Sequence, residues 1–535
     1  MRSVVIKNIT SVVMVLLIFT PQSVFSQNLV PFVDFHNYAV KKAFGSRHTS
    51  SFSVWDNIEH DCSYRFNKEI VNFNLRAAKQ SQASFSQMVR ANMPFACVSY
   101  NSIEKGLLTA PVLKKEEIKG NLACVAGLLS VDAIAFTNDI NYFADFVDYY
   151  NYLLRESLTS YTHLGKTYSF SLIDSGDALK ESMKKPDDLG IVLTLSGGHM
   201  LGHSVFIESK ITESKDYENM VLKNIARLKG TEPLFENTRE FFRHPILYIG
   251  LASLYENGIV GSAQHYTKDM SRVMGAPTHI DQGFTKLGRK VVKSLLSNEN
   301  GGRILVDVSG MSLQARQQYY QMIEEQQLIG ERIPIVASHV GISGLSWSSS
   351  QYNEKDDTRK NERSYLNHWR KNLSAEDIIA IYESDGLIGI SLNQYLCSGE
   401  QVTRDYNKTV PGSRQAREVH LKSILANIFK VVEVIGKRDA WDVISIGSDF
   451  DATMLPYPTY ASAKDMPDLI NDVYEFLYEP VNIFDLYSAT DIKRMMWGLT
   501  PEIIVNKIFH ENATNFVSTH LPDQPVVNQF NGNRN

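Results

Sequence analysis

The sequence predicts an α/β fold, a (β/α)8 TIM barrel carrying long loop insertions, and three observations lead there. Short apolar runs rich in Val and Ile alternate with longer stretches of helical periodicity. The runs number eight. No Gly-rich nucleotide loop follows the first of them, as an open doubly wound sheet would usually show. In order the runs are "VPFVDFH" (30–36), "FACVSY" (95–100), "GIVLTLSGG" (190–198), "GIVGSAQHY" (258–266), "GRILVDVSG" (302–310), "IPIVASHVG" (333–341), "GLIGISLN" (386–393) and "DVISIGSDFD" (442–451). Each is apolar on consecutive positions and bounded by Gly or polar residues, the pattern of strands buried on both faces.

Ahead of the first run lie Arg2 and Lys7, the apolar stretch "SVVMVLLIF" (11–19), a turn-prone "TPQ" and the ending "VFS" before Gln27. This is the layout of a secretory signal, with an apolar core short for a bilayer. The expected organisation is a signal peptide over 1–26, one barrel domain over 27–520 and a disordered tail over 521–535. The mature protein is then exported, periplasmic or extracellular, with no stable membrane span. A chain of 535 residues at 43% hydrophobic composition can bury a large core. Its net charge of −5, with Lys and Arg scattered along the chain, argues against a nucleic-acid partner. Cys62, Cys97, Cys124 and Cys397 permit up to two disulfides, and none has the close spacing of a zinc knuckle or redox pair.

Between the runs, "SLQARQQYYQMIEEQQ" (312–327) predicts a helix, and "SAEDIIAIYES" (374–384) predicts one opened by Ser374 with Asp377 three residues on. "HLKSILANIFKVVEVIG" (420–436) has an apolar face at helical spacing and stops at Gly436. Three stretches exceed a minimal barrel: 40–94 after the first run, the Ser-rich and then charged 345–370, read as a lid, and 395–418.

In such a barrel the chemistry gathers where strands end. The candidate residues there are His36, Ser196 with His199 just beyond it, His265, Gly310, His339 and Asp449. The ligand types among them, imidazole nitrogen and carboxylate oxygen, are those of a catalytic metal site.

The motifs "DFHN", "GGH", "LYENGIVGSAQH", "GFTKLGRKVVKSL", "ILVDVSGMS", "IVASH", "RKNLSAEDIIAI", "IGSDFDAT" and "IIVNKIFHENATNFV" follow one another in register with the strands. Together they resemble the membrane (renal) dipeptidase family of zinc peptidases, in the amidohydrolase superfamily, from about residue 30 to 518. The resemblance implies two zinc ions held by a His-x-Asp pair on the first strand, a Glu before Gly-Gly-His, and one His each on the fifth and sixth strands. His36 and His339 match as metal ligands; Tyr38, Ser196 and Gly310 stand where the Asp, the Glu and the other His would be. It further implies His265 and Asp449 as catalytic residues, with Lys371 and Arg370 at the position of a carboxylate-binding Arg and His199 beside the substrate. The expected function is a metal-dependent, dipeptidase-like hydrolase acting on a dipeptide or small amide, with one zinc ion or none. The alternative is an inactive exported barrel that binds without hydrolysing. A homodimer is left open.

Overall fold

The computed structural model describes residues 30–46, 52–59, 80–108, 139–236, 238–264, 279–299, 301–328, 330–352, 363–452 and 455–522. The expected signal peptide, Cys62, Cys124, His265, residues 353–362 of the expected lid, much of the 40–94 excursion and nearly all of the tail lie outside them.

Ten strands form one sheet: β1 (Asp34–Asn37), β2 (Phe95–Tyr100), β3 (Tyr161–His163), β4 (Lys166–Leu172), β5 (Asp188–Ser196), β6 (Ile246–Gly250), β7 (Leu305–Asp307), β8 (Val336–Val340), β9 (Leu387–Ile390) and β10 (Ile444–Ile446). Eight of them pair in parallel in the order β1-β2-β5-β6-β7-β8-β9-β10. β3 and β4 form an antiparallel hairpin, and β4 runs parallel to the first half of β5 before β6 takes its place. The ring closes at the strand tips, where Asn37 bridges Phe450, Tyr38 N–H donates to Phe450 O at 2.8 Å, and Asp449 N–H donates to His36 O at 2.9 Å. This is the (β/α)8 barrel the sequence predicts. The barrel strands are buried almost without interruption, which is why they read as continuous apolar runs and not as alternation.

Seven of the eight expected strands overlap an observed one, and the fourth does not. Residues 258–264 make only isolated bridges, at Val260 and Ser262, and the barrel strand in that place is β6, over "ILYIG". Ile259 and Val260 are buried against neighbouring loops, so the segment has strand-like composition without a place in the ring. Gly261 shows why it lies so close: a Cβ there would sit 2.1 Å from the Gln282 carbonyl oxygen.

Helices surround the barrel as expected. Residues Lys41–Gly45 form a short helix, α1, directly after β1. Leu313–Leu328 is α2, and Ala375–Glu383 is α3, opened by the capping box in which Ser374 Oγ accepts from Asp377 N–H and Asp377 accepts from Ser374 N–H. The long helix α4 runs Arg414–Ile435 and ends at Gly436 in the left-handed region, φ 65°. It starts six residues before the apolar pattern, because its first turns, capped by Ser413, are largely polar. Arg316 of α2 is fully buried and donates to Asp377 of α3 at 3.0 Å, to the Tyr352 hydroxyl at 2.6 Å and to the Arg370 carbonyl at 3.1 Å. Every branch of that guanidinium is satisfied, so it fixes the loop that carries residues 370 and 371.

Candidate active site

The tips of β1, β8 and β10 bring His36, His339 and Asp449 together, their ligand atoms within 4.8 Å of one another. The two imidazoles stack, ring centres 4.0 Å apart and planes 17° from parallel. Asp449 is buried and takes φ 65°, and Asp451 takes φ 64°. Left-handed backbone costs a non-Gly residue about 1–2 kcal/mol, least for Asp and Asn. The sharp turn it makes sends the two aspartates different ways. Asp449 faces the histidines, while Asp451 accepts from Lys42 Nζ at 2.7 Å and from the backbone of Gln82 and Ala83. Asp34 ties both sides together, accepting from Ser448 N–H at 2.9 Å, Ser448 Oγ–H at 2.5 Å and His36 N–H at 3.3 Å. Burial raises its pKa to about 7 despite those donors.

The hydrogen bonds decide which ring nitrogen of each histidine is free. Tyr248 gives its hydroxyl proton to the Phe35 carbonyl at 2.6 Å, so it must accept from His36 Nδ1–H at 3.0 Å. His36 Nε2 is left as a bare lone pair, buried and without a partner among the described residues. His339 is fixed in the same way: Ser338 donates to the Asp307 carboxylate at 2.5 Å and therefore accepts from His339 Nδ1–H at 2.7 Å. Burial, and then the neighbouring charge of His339, hold the His36 pKa well below its ordinary value. Asp449 is pushed up by burial, against the opposing pull of His339, Lys371, Asn393 and Lys41. A neutral imidazole with one lone pair aimed at a carboxylate is what a metal-binding histidine requires, and the carbonyl and carboxylate behind it are the outer contacts that orient such ligands.

Among the described residues, His36, His339 and Asp449 offer donors for one divalent ion. Tyr38 packs edge-on to His36 at 5.0 Å, and burial holds its phenol far above its ordinary pKa, so it stays neutral and supplies no anionic oxygen. Gly310 has no side chain to offer, and Ser196 only a hydroxyl.

The remaining expected residues separate. Lys371 acts electrostatically on Asp449 and is itself pulled down to about 8 by desolvation. Arg370 is tied back to the Tyr352 carbonyl at 2.9 Å. His199 is buried with both nitrogens engaged: Nε2–H donates to Ser102 O at 3.0 Å, and Nδ1 lies 3.1 Å from Ser253 Oγ. It clamps the loops after β2, β5 and β6, and the hydrogen bonding leaves no nitrogen for a substrate. Gly197 makes that pose feasible, since at φ 96° a Cβ would lie 2.3 Å from the His199 ring. His265 lies outside the described residues, and the run leading to it is not a barrel strand, so its expected place at a strand end loses its basis. Sequence reasoning missed Asp34, Tyr248 and the Asp307–Ser338 pair. Asp34 was signalled by its position two residues before His36 on one face of a strand; Tyr248 was hidden by the misplaced fourth strand.

Fold and cluster together define a TIM barrel with a histidine–aspartate cluster, of the donor types that can hold a metal ion, at its strand tips. Residues 235–498, just under half of the chain, match the model of the membrane dipeptidase family, peptidase family M19. The match contains Gly310, His339, Lys371 and Asp449, and leaves His36 on the first strand outside it. No curated protein matches the sequence significantly. Among solved structures, the barrel is similar to a metallo peptidase of Rhodobacter sphaeroides liganded with a phosphinate mimic of the dipeptide L-Ala-D-Ala (12% identity, 92% of this chain and 100% of that one, TM-score 0.49). It is also similar to the probable dipeptidase PvdM of Pseudomonas aeruginosa (13% identity, 92% and 95% covered, TM-score 0.48).

Proposed function

We propose that the protein is a membrane-dipeptidase-like hydrolase of dipeptides or small amides that works with a single metal ion of the zinc type. The observation that carries this reading is the bare, buried Nε2 of His36 beside His339 and Asp449. His36 and His339 would hold the ion through Nε2, with Asp449 as the anionic neighbour. Bound there, such an ion supplies Lewis-acid polarisation of a carbonyl and makes water more acidic. Asp449 takes the proton at its carboxylate and returns it to the leaving amine; a pKa raised by burial suits that exchange. Lys371 holds the substrate carboxylate by charge, without the fork an Arg would provide. Export by the N-terminal signal is part of the same reading.

The test combines metal analysis with activity. Protein stripped with chelator and given zinc should take up about one ion per chain and hydrolyse dipeptides, and Asp449→Asn should not hydrolyse them. Equal inertness of both proteins removes the catalytic reading. A second reading, a barrel that binds without hydrolysing, is favoured by the neutral Tyr38 and the bare backbone at Gly310. Failure to take up metal would decide for it.

A further inference from the structure

Three barrel strands carry an extra residue where the cluster forms. On β1, Asp34 pairs with Ala96 and Asn37 with Val98, so three steps match two on β2 and His36 lies in the excess. β6 bulges in the same way against β5 around Leu247 and Tyr248, and β8 against β9 around Ser338 and His339. A bulge re-aims side chains and takes backbone groups out of the ladder. On β8 the freed amides are taken by side chains at the tip of β7. Ser338 N–H donates to Asp307 Oδ1 at 2.9 Å, and His339 N–H donates to Ser309 Oγ at 3.3 Å. Asp307 Oδ1 also accepts from Ser309 N–H at 2.9 Å, and Oδ2 accepts from Ser338 Oγ–H at 2.5 Å. The bulge presses against two glycines: a Cβ at Gly389 would lie 2.0 Å from the Ser338 carbonyl oxygen, and one at Gly447 1.8 Å. Asp307 does not touch the imidazole itself. Oδ2 and His339 Nδ1 are 4.0 Å apart, with the Ser338 hydroxyl between them.

We infer that Asp307 is a positioning residue of the site: as the acceptor-only end of the chain Asp307–Ser338–His339, it sets the direction of both hydrogen bonds and keeps Nε2 of His339 free. The serine hydroxyl has one proton. Given to the carboxylate, it leaves a lone pair toward Nδ1, which must then carry the ring proton. An asparagine at 307 reverses the chain. Two backbone N–H groups converge on Oδ1, so the amide oxygen has to face them and its NH2 has to face Ser338. The hydroxyl then turns its proton to Nδ1, and the ring proton moves to Nε2. Asp34 clamps Ser448 through the same pair of bonds, at 2.9 and 2.5 Å, but the next residue there is Asp449, which has no ring to orient. This deepens the proposed metal-dependent reading and rests on it only for the use of the lone pair.

The test is nitrogen NMR on metal-stripped full-length protein carrying labelled histidine, at about pH 8.5, well above the ordinary imidazole value. It separates the two neutral tautomers, and the His339 signal is identified by its loss in His339→Gln. The expected result is an Nδ1 proton in the wild type and an Nε2 proton in Asp307→Asn, whose zinc affinity falls about 10- to 100-fold. Adding Ser338→Ala to Asp307→Asn cuts the chain, so both tautomers populate and part of the zinc affinity returns, which a purely structural role of Asp307 would not produce. Asp34→Asn should leave the His339 proton on Nδ1. A wild-type proton on Nε2, an Asp307→Asn protein that keeps it on Nδ1, or the same reversal in Asp34→Asn overturns the inference. Thermal melting checks each fold. Should Asp307→Asn not fold, Ser338→Ala alone decides: it should mix the tautomers, and an unmixed Nδ1 signal overturns the inference. The expected tautomers in a protein that neither binds zinc nor hydrolyses dipeptides leave the inference standing and remove only the metal-dependent reading.

Discussion

The tip of β1 and the loop after β5 each present a buried histidine to the same mouth, and the two differ in what their nitrogens do. Among the described residues the His36 ring makes one hydrogen bond, to Tyr248, and keeps a bare lone pair. His199 makes two, to Ser102 and Ser253, and keeps none. Both are neutral by burial, so charge does not distinguish them. The lesson is that a histidine at a strand end is a candidate ligand only when the protein has left one nitrogen unsatisfied. The fold tolerates that cost at the tip of β1, where the lone pair faces His339 and Asp449, and avoids it one loop away.

The sharpest way to break this comparison is to remove each ring in turn. His36→Ala should abolish stoichiometric zinc uptake and lower any dipeptide hydrolysis by about a thousandfold or more, with little change in folding. His199→Ala should do the reverse. It deprives Ser102 O and Ser253 of buried partners and costs about 2–3 kcal/mol of stability by denaturant unfolding, while zinc uptake persists. If His199→Ala instead loses the metal and keeps its stability, the assignment of the two histidines is inverted.

How far the sequence could distinguish them is instructive. The barrel was legible because strands buried on both faces leave continuous Val/Ile runs, and the capping box at Ser374 and the stop at Gly436 fix helix ends locally. Convergence of strand tips in a closed barrel led to His36, His265, His339 and Asp449 together, and the family resemblance singled out His36 and His339 as ligands; of these the described residues bring His36, His339 and Asp449 into one cluster. The fourth strand was not: "GIVGSAQHY" and "ILYIG" are both buried and apolar, and burial alone does not say which of them joins the ring. Hydrogen-bond allocation was not legible either. Nothing in the letters around His199 announces that Ser102, 97 residues away, takes its Nε2 proton.

A smaller change sharpens the same contrast from behind the ligand. Tyr248→Phe leaves the ring packing of β6 in place but removes the acceptor that holds the His36 proton on Nδ1. The imidazole is then free to change tautomer, and zinc affinity should fall about 10- to 100-fold, read by competition with a chelating dye. Unchanged affinity would show that the tautomer is set elsewhere.

The mildest effect is on the pH dependence of stability, and it isolates the satisfied histidine. His199 has its pKa lowered to about 4 in the fold by burial, against an ordinary value of 6.5. Between those values the unfolded chain binds a proton at this position that the folded chain refuses. Stability from this group is therefore complete above pH 6.5 and declines as pH falls toward 4, by about 1.4 kcal/mol per pH unit at most. Asp34, raised to about 7, contributes with the opposite sign over the carboxylate range, so the wild-type curve alone does not reveal the histidine. The difference curve does: subtracting a His199→Gln variant, which keeps side-chain hydrogen-bonding capacity and loses the titration, should leave a slope confined to pH 6.5 down to 4. A flat difference would mean that His199 is protonated in the fold. Its Nδ1 would then donate to Ser253 instead of accepting, and the distinction between the two histidines would have to rest on packing alone.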